Sequence, residues 1–285
     1  MTIELIPAER FSLQELTDLY NQTRVDYLVP MPMNASRLGD YVHDFDIDLA
    51  RSCVARSTDG DALGLCMLGV RPHQTWITRL GVLPATRRSG VGRALMDCML
   101  ENARALGAVE IQLEVIKNNL PAYNLFLGKH FTETGEYLVM RRAPHLSSQP
   151  LHGDVDWLDI DQALEAMQSY PHHLTWINAP ESMRNARDVE GLRLRLSDGS
   201  AGWLVYRNTK FTLRSTLSHL IIHTEQGDPN EIGTQLLLNL HTHYPHHDTY
   251  AENIHKEDAH LPAFQTLGYF ENFLRIEMIR SSNSD

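Results

Sequence analysis

Residues 78–95 read Thr78-Arg79-Leu80-Gly81-Val82-Leu83-Pro84-Ala85-Thr86-Arg87-Arg88-Ser89-Gly90-Val91-Gly92-Arg93-Ala94-Leu95. An apolar strand ends at a proline, and two arginines and two close glycines lead directly into a helix. Glycines let the backbone approach a ligand closely, and a helix N-terminus carries a partial positive charge. Because Arg87, Arg88 and Arg93 add full charges, the stretch predicts a loop that binds a polyphosphate.

Two other interpretations of this loop are open. One is an ordinary tight turn that caps a helix, which leaves the clustered arginines unexplained. The other is a dinucleotide-binding unit, but its Gly-x-Gly-x-x-Gly pattern is not completed here and no acidic residue ends the next strand. The phosphate-binding loop is therefore the preferred interpretation.

Residues 78 to 131 resemble the GNAT superfamily of acyl-CoA-dependent N-acyltransferases. The family signature Arg/Gln-x-x-Gly-x-Gly/Ala, after a strand ending in Val-x-Pro, is met by Arg87-Arg88-Ser89-Gly90-Val91-Gly92 after Val82-Leu83-Pro84. A second block is met by Glu114-Val115, Asn119, Ala122 and Leu125-Phe126, with Phe131 closing it. Both blocks occur in order on the predicted strand, helix, strand and helix.

The resemblance implies that acetyl-CoA is the cofactor. The loop would hold its pyrophosphate, and the backbone of the preceding strand would bond the pantetheine amides, with Gly81 leaving room beside it. Asn119 would contact the same pantetheine arm. The implied cofactor-binding residues are Leu80, Gly81, Val82, Arg87, Arg88, Ser89, Gly90, Val91, Gly92, Arg93, Asn119 and Phe126.

Catalysis by direct transfer needs a base, because an alkyl ammonium with a pKa near ~10 must lose a proton before it attacks a thioester. The resemblance implies Glu114 as this base; the alternative is a solvent-facing residue on an alternating strand. The tyrosine that protonates the leaving thiolate in the family is Phe126 here. Tyr123, one helical turn earlier, is the expected substitute.

The family binds its acceptor with the first two helices and their loop. Here that region contains Tyr27, Met31 and Met33, followed by a series of aspartates at positions 40, 44, 46 and 48. These residues predict a rim for an amine with an apolar body. A solvated acidic helix end is the alternative, and we favour it for the aspartates.

The second half repeats the first. Leu125-Phe126-Leu127-Gly128-Lys129-His130-Phe131 matches Ala263-Phe264-Gln265-Thr266-Leu267-Gly268-Tyr269-Phe270, and similar strands and helices precede both. In the second copy, Asp228-Pro229-Asn230-Glu231 replaces the arginine loop. Since acids repel a pyrophosphate, this copy is expected not to bind coenzyme A. It would pack on the first copy, complete the substrate cleft or mediate dimerisation.

The expected fold class is α/β with an α+β mixed sheet: two tandem GNAT-like domains, each a mostly antiparallel sheet flanked by helices. The predicted boundaries are 1–142 for the acetyltransferase domain, 143–155 for a linker rich in Pro, Ser and Gly, and 156–285 for a degenerate copy.

Composition limits the partners. A net charge of −11 argues against nucleic acid. The sequence contains no apolar run of membrane-spanning length and no targeting segment at its start, so we expect a cytoplasmic protein. The three cysteines, Cys53, Cys66 and Cys98, are expected to be buried free thiols. The histidines of residues 241–260 lack metal-like spacing and are expected to be surface residues with no metal.

These observations predict an N-acetyltransferase that moves acetyl from acetyl-CoA to a primary amine of a small molecule or peptide in a ternary complex. A homodimer is left open. One alternative is an enzyme of the same fold that uses a longer acyl-CoA. Another is a non-catalytic acyl-CoA-binding or regulatory protein, which Phe126 and the degenerate copy favour. A protein-interaction module built from the second copy is the third.

Overall fold

The computed structural model describes residues 2–146, 149–210 and 215–282. These residues divide into two compact units. The first unit is Met1–Thr134 together with Ile276–Asp285, and the second is Gly135–Arg275.

The first run of elements is β1 (Ile3–Pro7), α1 (Leu13–Gln22), α2 (Ala35–Asp44), β2 (Cys53–Ser57), β3 (Ala62–Arg71), β4 (Gln74–Val82), α3 (Val91–Ala105), β5 (Glu110–Ile116), α4 (Leu120–Leu127) and β6 (Thr132–Arg142). The second run is β7 (Asp154–Leu158), α5 (Ile160–Met167), α6 (Pro180–Asn185), β8 (Val189–Arg195), β9 (Ala201–Lys210), β10 (Ser215–Gln226), α7 (Pro229–His243), β11 (Asp248–His255), α8 (Leu261–Thr266) and β12 (Phe270–Ser281). Strands and helices follow in the same order twice, which confirms the internal duplication.

Each unit has a mixed sheet, as predicted. In the first unit the strand order is β1-β2-β3-β4-β5, and β12 follows β5. In the second unit the order is β7-β8-β9-β10-β11-β6. The β4–β5 and β10–β11 pairs are parallel, and the pairs β1–β2, β2–β3, β3–β4, β7–β8, β8–β9, β9–β10 and β6–β11 are antiparallel.

The two units exchange their closing strands. Residues 276–281 of β12 belong to the first unit, where Thr132 donates a hydrogen bond to the Ile279 carbonyl (3.2 Å). Residues 135–142 of β6 instead pair with β11 in the second unit. The predicted boundary after residue 142 therefore differs from the observed division, because each closing strand is assigned by sheet pairing rather than by chain order.

The predicted linker, residues 143–155, contains no helix or strand in its described part before β7 begins at Asp154. Ser147 and Ser148, which fall within that prediction, lie outside the described residues.

Local sequence explains where the first two helices begin. Ser12 and Glu15 form a capping box at the start of α1: the Ser12 hydroxyl accepts from the Glu15 amide (3.2 Å), and Glu15 accepts from the Ser12 amide (2.7 Å). The side chain of Asn34 accepts from the Arg37 amide (2.9 Å) and caps α2. Asn34 precedes the first helical residue, which is where a cap must stand.

Helix α1 ends at Gln22. Residues 23–27 instead form turns, in which the Arg24 amide bonds the Asn21 carbonyl and the Tyr27 amide bonds the Arg24 carbonyl (both 3.1 Å). Because the helix ends at Gln22, Arg24 and Tyr27 lie outside it. Arg24 contacts β4, and Tyr27 contacts the start of α4.

The cysteines differ from the expectation of three free thiols. Cys53 on β2 and Cys98 on α3 are joined as a disulfide, 45 residues apart in sequence. Cys66 is a buried free thiol, and burial raises its pKa. Sequence spacing gave no sign of the Cys53–Cys98 pair because a strand and a helix bring it together.

Candidate functional site

The parallel strands β4 and β5 separate in the first unit. Their ladder runs from Gln74↔Glu110 to Ile77↔Leu113, while β4 continues to Val82. A bulge lies on β4, since two residues, Arg79 and Leu80, stand opposite the single Cys66 of β3. Arg79 has a φ of 54°, a left-handed conformation that is unusual outside glycine. Beyond Ile77, β4 therefore separates from β5, and a cleft opens beside Leu80–Val82.

The predicted phosphate loop stands at the N-terminus of α3. Gly90 is the N-cap with a φ of 95°, and no side chain caps the helix. A Cβ atom built on Gly90 meets no atom within 4 Å, so the glycine faces open space. The first amides of a 15-residue helix are thus available to an anion, with the exposed Arg88 and Arg93 nearby. These residues fit the pyrophosphate of acetyl-CoA.

The Arg87 side chain is bound by other residues of the first unit. Its guanidinium donates two hydrogen bonds to the Asp26 carboxylate (2.6 and 2.7 Å) and one to the Thr23 carbonyl (3.2 Å). This pair raises the pKa of Arg87 and lowers that of Asp26. Arg87 therefore ties the loop to the end of α1, and the charge available to a phosphate comes from Arg88 and Arg93.

The space that we expected beside Gly81 is filled. A Cβ atom on Gly81 would lie 2.3 Å from the hydroxyl oxygen of Thr23 and 2.8 Å from its Cβ. Thr23 is buried and donates to the Tyr20 carbonyl (2.7 Å). Gly81 is thus required for α1 to approach β4, and the expectation that it leaves room for pantetheine is wrong.

Glu114 lies on β5 one residue beyond the last pair of the β4–β5 ladder and is half-buried. The Tyr41 hydroxyl contacts the Thr78 hydroxyl (2.7 Å). Burial chiefly raises the pKa of Tyr41; Arg79 lowers it, and Glu114 raises it. Glu114 is therefore close enough to the Tyr41 hydroxyl to act on it electrostatically.

Arg79 contributes a cation to the cleft wall that the sequence analysis missed. Its guanidinium carbon lies 4.1 Å from the centre of the Tyr41 ring, and Nη1 donates to the Tyr20 hydroxyl (2.9 Å). The usable signal was an arginine within an otherwise apolar strand. The two tyrosines that hold it come from α1 and α2, and no local pattern connects them.

Arg24 extends this wall. Its guanidinium carbon lies 4.3 Å from the Tyr27 ring centre and 4.8 Å from that of Tyr20, and Nη2 donates to the Leu80 carbonyl (3.4 Å). Asn119 caps α4 and donates to the Tyr27 hydroxyl (3.3 Å). The structure thus brings together Tyr27, predicted for the acceptor, and Asn119, predicted for the cofactor.

The predicted proton donor Tyr123 is bound to a carboxylate, and Phe126, predicted for cofactor binding, is in the core. The Tyr123 hydroxyl donates to the Glu133 carboxylate, and this hydrogen bond raises its pKa. Both effects oppose transfer of that proton to a thiolate. Phe126 is buried and packs edge-on against Phe131 with ring centres 6.3 Å apart. Its side chain therefore belongs to the core.

The methionines and aspartates of the predicted acceptor rim are held by contacts within the first unit. Met31 and Met33 are half-buried, and the Met33 backbone exchanges two hydrogen bonds with the Asn21 side chain (2.9 and 3.0 Å). Asp46 accepts from Arg71 (2.8 Å), and Asp48 accepts from the amides of the following turn. Those two half-buried aspartates stabilise local structure, and Asp44 is buried, so the solvated acidic helix end that we favoured is wrong for these three positions.

In the second unit, α7 corresponds to α3, and a side chain caps its N-terminus. The Asp228 carboxylate accepts from the Glu231 amide (3.0 Å), and Pro229, at the first helical position, has no N–H. A carboxylate already occupies the place at which a phosphate would bind α7. This geometry supports the expectation that the second copy does not bind coenzyme A.

Two of the histidines expected at the surface are buried. His241 contacts the Tyr269 hydroxyl (2.9 Å), and burial lowers its pKa to about 3. His260 lies between the Asp258 carboxylate and the Thr224 hydroxyl, at 2.9 Å from each. Tertiary packing of α7 and α8 decides this burial. Across the described residues no group of three or more metal-ligating side chains converges.

None of the helices described here has both the length and the apolar character needed to cross a membrane.

Residues 13–130 match the sequence profile of the Acetyltransferase (GNAT) family. A mycothiol acetyltransferase of Clavibacter michiganensis subsp. michiganensis (strain NCPPB 382) is 32% identical over 111 residues, which are 39% of this chain and 36% of that protein. An aminoglycoside N(6')-acetyltransferase type 1 of Klebsiella aerogenes is 29% identical over 97 residues, or 31% of this chain and 64% of that protein. The matches thus span less than two thirds of either relative.

Solved structures extend the similarity to both units. A GCN5-related N-acetyltransferase from Sphaerobacter thermophilus superposes with a TM-score of 0.72 at 13% identity, covering 99% of this chain and 96% of the other. A tandem GNAT protein from the clavulanic acid biosynthesis pathway gives a TM-score of 0.68 at 14% identity and covers 100% of both chains. Identities this low establish the fold alone, and they confirm the predicted pair of tandem units.

Proposed function

We propose that the first unit is an acetyl-CoA-dependent N-acetyltransferase, because residues 13–130 match the sequence profile of the Acetyltransferase (GNAT) family. Its acceptor is a primary amine of a small molecule or peptide, acetylated by direct transfer in a ternary complex. One observation carries the proposal: the cleft between β4 and β5 ends at the uncapped N-terminus of α3.

The residues of the first unit have distinct tasks in this reaction. When bound, acetyl-CoA supplies a thioester that acylates a neutral amine. The amides of the α3 N-terminus, with Arg88 and Arg93, hold the pyrophosphate, and the β4 backbone at Leu80–Val82 orients the pantetheine. Glu114 takes a proton from the acceptor ammonium, directly or through one water.

The balance of atoms is simple. The amine nitrogen forms a bond to the acetyl carbon, the carbon–sulfur bond breaks, and the electron pair of that bond leaves on sulfur. The nitrogen, which still carries two hydrogens after the attack, releases one proton to solvent and becomes the neutral amide, and the thiolate takes up one proton. Because Tyr123 is bound to Glu133, solvent supplies this proton in our proposal.

Calorimetric titration of the purified chain with acetyl-CoA tests the cofactor site. We expect one site per chain, since Gly90 leaves α3 open and Asp228 closes α7. Two sites would show that Asp228 does not exclude the ligand. No binding would contradict the proposal.

A second candidate is an acyl-CoA-binding regulatory protein, favoured by Phe126 in place of the usual tyrosine. A thiol-release assay with a panel of amines separates the two functions. Amine-dependent release of free thiol supports the transferase, whereas binding of acetyl-CoA without release supports the regulatory protein.

A further inference from the structure

We propose that the acceptor amine also carries a carboxylate, and that Arg24 and Arg79 of the first unit bind it. The acceptor class is then an amino acid or a similar small zwitterion. This inference rests on the proposed function, because it concerns the acceptor side of the same cleft.

Arg24 provides the first step of the argument. Its contacts are the Leu80 carbonyl and the faces of Tyr20 and Tyr27. Among residues 2–146, 149–210 and 215–282, no carboxylate forms an ion pair with it, and its Nε is buried without a hydrogen-bond partner. A partly buried guanidinium bound only to neutral groups has donors in a geometry suited to a carboxylate.

The second step is the position of Arg79. Its guanidinium carbon is 5.2 Å from the centre of the Tyr20 ring, the same ring that Arg24 approaches to 4.8 Å. Two guanidinium groups near one tyrosine ring concentrate donors and positive charge on this wall of the cleft, which suits an anionic group of a ligand. The β4 bulge holds Arg79 at a φ of 54°, so the fold maintains this arrangement at a conformational cost.

The third step is the polarity of the cleft. Glu114 and Arg79 carry opposite charges, and both act on the Tyr41 hydroxyl: Glu114 raises its pKa and Arg79 lowers it. An acceptor with an ammonium group near Glu114 and a carboxylate near Arg79 matches both charges. A polycationic acceptor such as an aminoglycoside lacks the anion and would meet two arginines.

The experiment compares matched acceptors in the thiol-release assay. Several amino acids are each tested beside their carboxamide and their decarboxylated amine, with kanamycin as a polycation. We expect kcat/KM for the acids to exceed that for the amides by about tenfold or more, the range of a hydrogen bond to a charged group. Arg24→Met and Arg79→Met should remove this preference, and Arg24→Lys should retain part of it.

Arg56→Met is the matched control, because Arg56 pairs with Glu4 on exposed strands of the same unit (3.3 Å). It should leave the preference unchanged. Acetyl-CoA titration of all variants should give the wild-type affinity, which separates this inference from the proposed function.

Several results would overturn the inference. One is equal thiol release with acids and amides, or release with neither. Another is a preference for kanamycin. The third is a preference for acids that persists in Arg24→Met and Arg79→Met. Tighter binding of succinyl-CoA than acetyl-CoA, lost in the same two variants, would assign the arginines to an acidic acyl group instead. Binding of acetyl-CoA in any of these cases leaves the cofactor site intact.

Discussion

At the scale of single residues, the cleft of the first unit depends on side chains that meet where β4 leaves β5. Arg79 stacks on the Tyr41 ring, and both Arg79 and Glu114 act electrostatically on the Tyr41 hydroxyl. In the proposed reaction, this group of side chains lies on the acceptor side of the cleft. None of the three lies in the glycine loop that defines the cofactor site.

Replacement of Glu114 by glutamine tests the base. We expect Glu114→Gln to lower kcat by about 100-fold, within the usual range for loss of a general base, with unchanged acetyl-CoA affinity. The loss should be greatest at low pH, where more of the acceptor is protonated. Glu110→Gln on the same strand is the control, and a wild-type pH–rate profile for Glu114→Gln would remove this residue as base.

His241 makes the stability of the second unit depend on pH. Burial, and then the charge of Arg142, lowers the pKa of His241 to about 3, against an ordinary value of 6.5. Between these values the unfolded chain binds a proton that the folded chain does not, so stability falls as pH drops from about 6.5 toward 3. The slope from this group is up to ~1.4 kcal/mol per pH unit.

Chemical denaturation at pH 7 and pH 5 measures this effect. His241→Gln should reduce the loss of unfolding free energy between these two values, because glutamine does not titrate. His243→Gln, at an exposed position of the same helix, should keep the wild-type loss. Identical losses in all three proteins would contradict the assignment.

At the scale of elements, α3 and α7 occupy equivalent places in the two runs but begin differently. Gly90 leaves the first amides of α3 open, whereas Asp228 bonds an amide of α7. A helix N-terminus that lacks a capping side chain needs another partner for its N–H groups. The same element thus begins with open N–H groups in one unit and with a capped end in the other.

Gly90→Glu tests this difference. The glutamate places a carboxylate at the open N-terminus of α3, so acetyl-CoA binding should fall below detection in a calorimetric titration. The matched control is Gly60→Glu in the β2–β3 hairpin: its φ is 97°, and no atom lies within 4 Å of a built Cβ. Both variants carry the same left-handed strain, about 1–2 kcal/mol, so unchanged binding in Gly90→Glu would reject the phosphate site.

At the scale of the whole molecule, the exchange of β6 and β12 makes the first unit depend on the end of the chain. Residues 276–281 of β12 lie in its sheet beside β5, and Met278 is fully buried. The Thr134 hydroxyl donates to the Glu277 carboxylate (2.8 Å) and strengthens the same region. A sheet that contains the cofactor cleft is therefore completed by residues far along the chain.

Met278→Asp tests this dependence. A carboxylate at a buried strand position should destabilise the first unit by ~3 kcal/mol or more and weaken acetyl-CoA binding, although no residue of the loop has changed. Phe270→Asp, at the 51% exposed start of the same strand, should have little effect. Equal stability and binding in the two variants would show that β12 does not support the cleft.

The sequence predicted the parts of the site that local rules govern. The glycine loop before a helix and the acids at the matching position of the second copy were predicted from a few residues each, and the structure gives Gly90 a left-handed φ and makes Asp228 the cap of α7. The pairing of Arg87 with Asp26 was not predictable, because 61 residues separate them. The same holds for Thr23 against Gly81, which only the packing of α1 on β4 reveals.

The sequence by itself determined the order of strands and helices, their repetition, and the glycine loop at the start of α3. These follow from side-chain periodicity and from backbone angles that a few neighbouring residues specify. The tertiary structure alone decided which unit each closing strand joins, that Arg24 and Arg79 approach the same tyrosine ring, and that His241 is buried. These features depend on sheet pairing and packing between distant segments, and such contacts leave no mark on the neighbouring sequence.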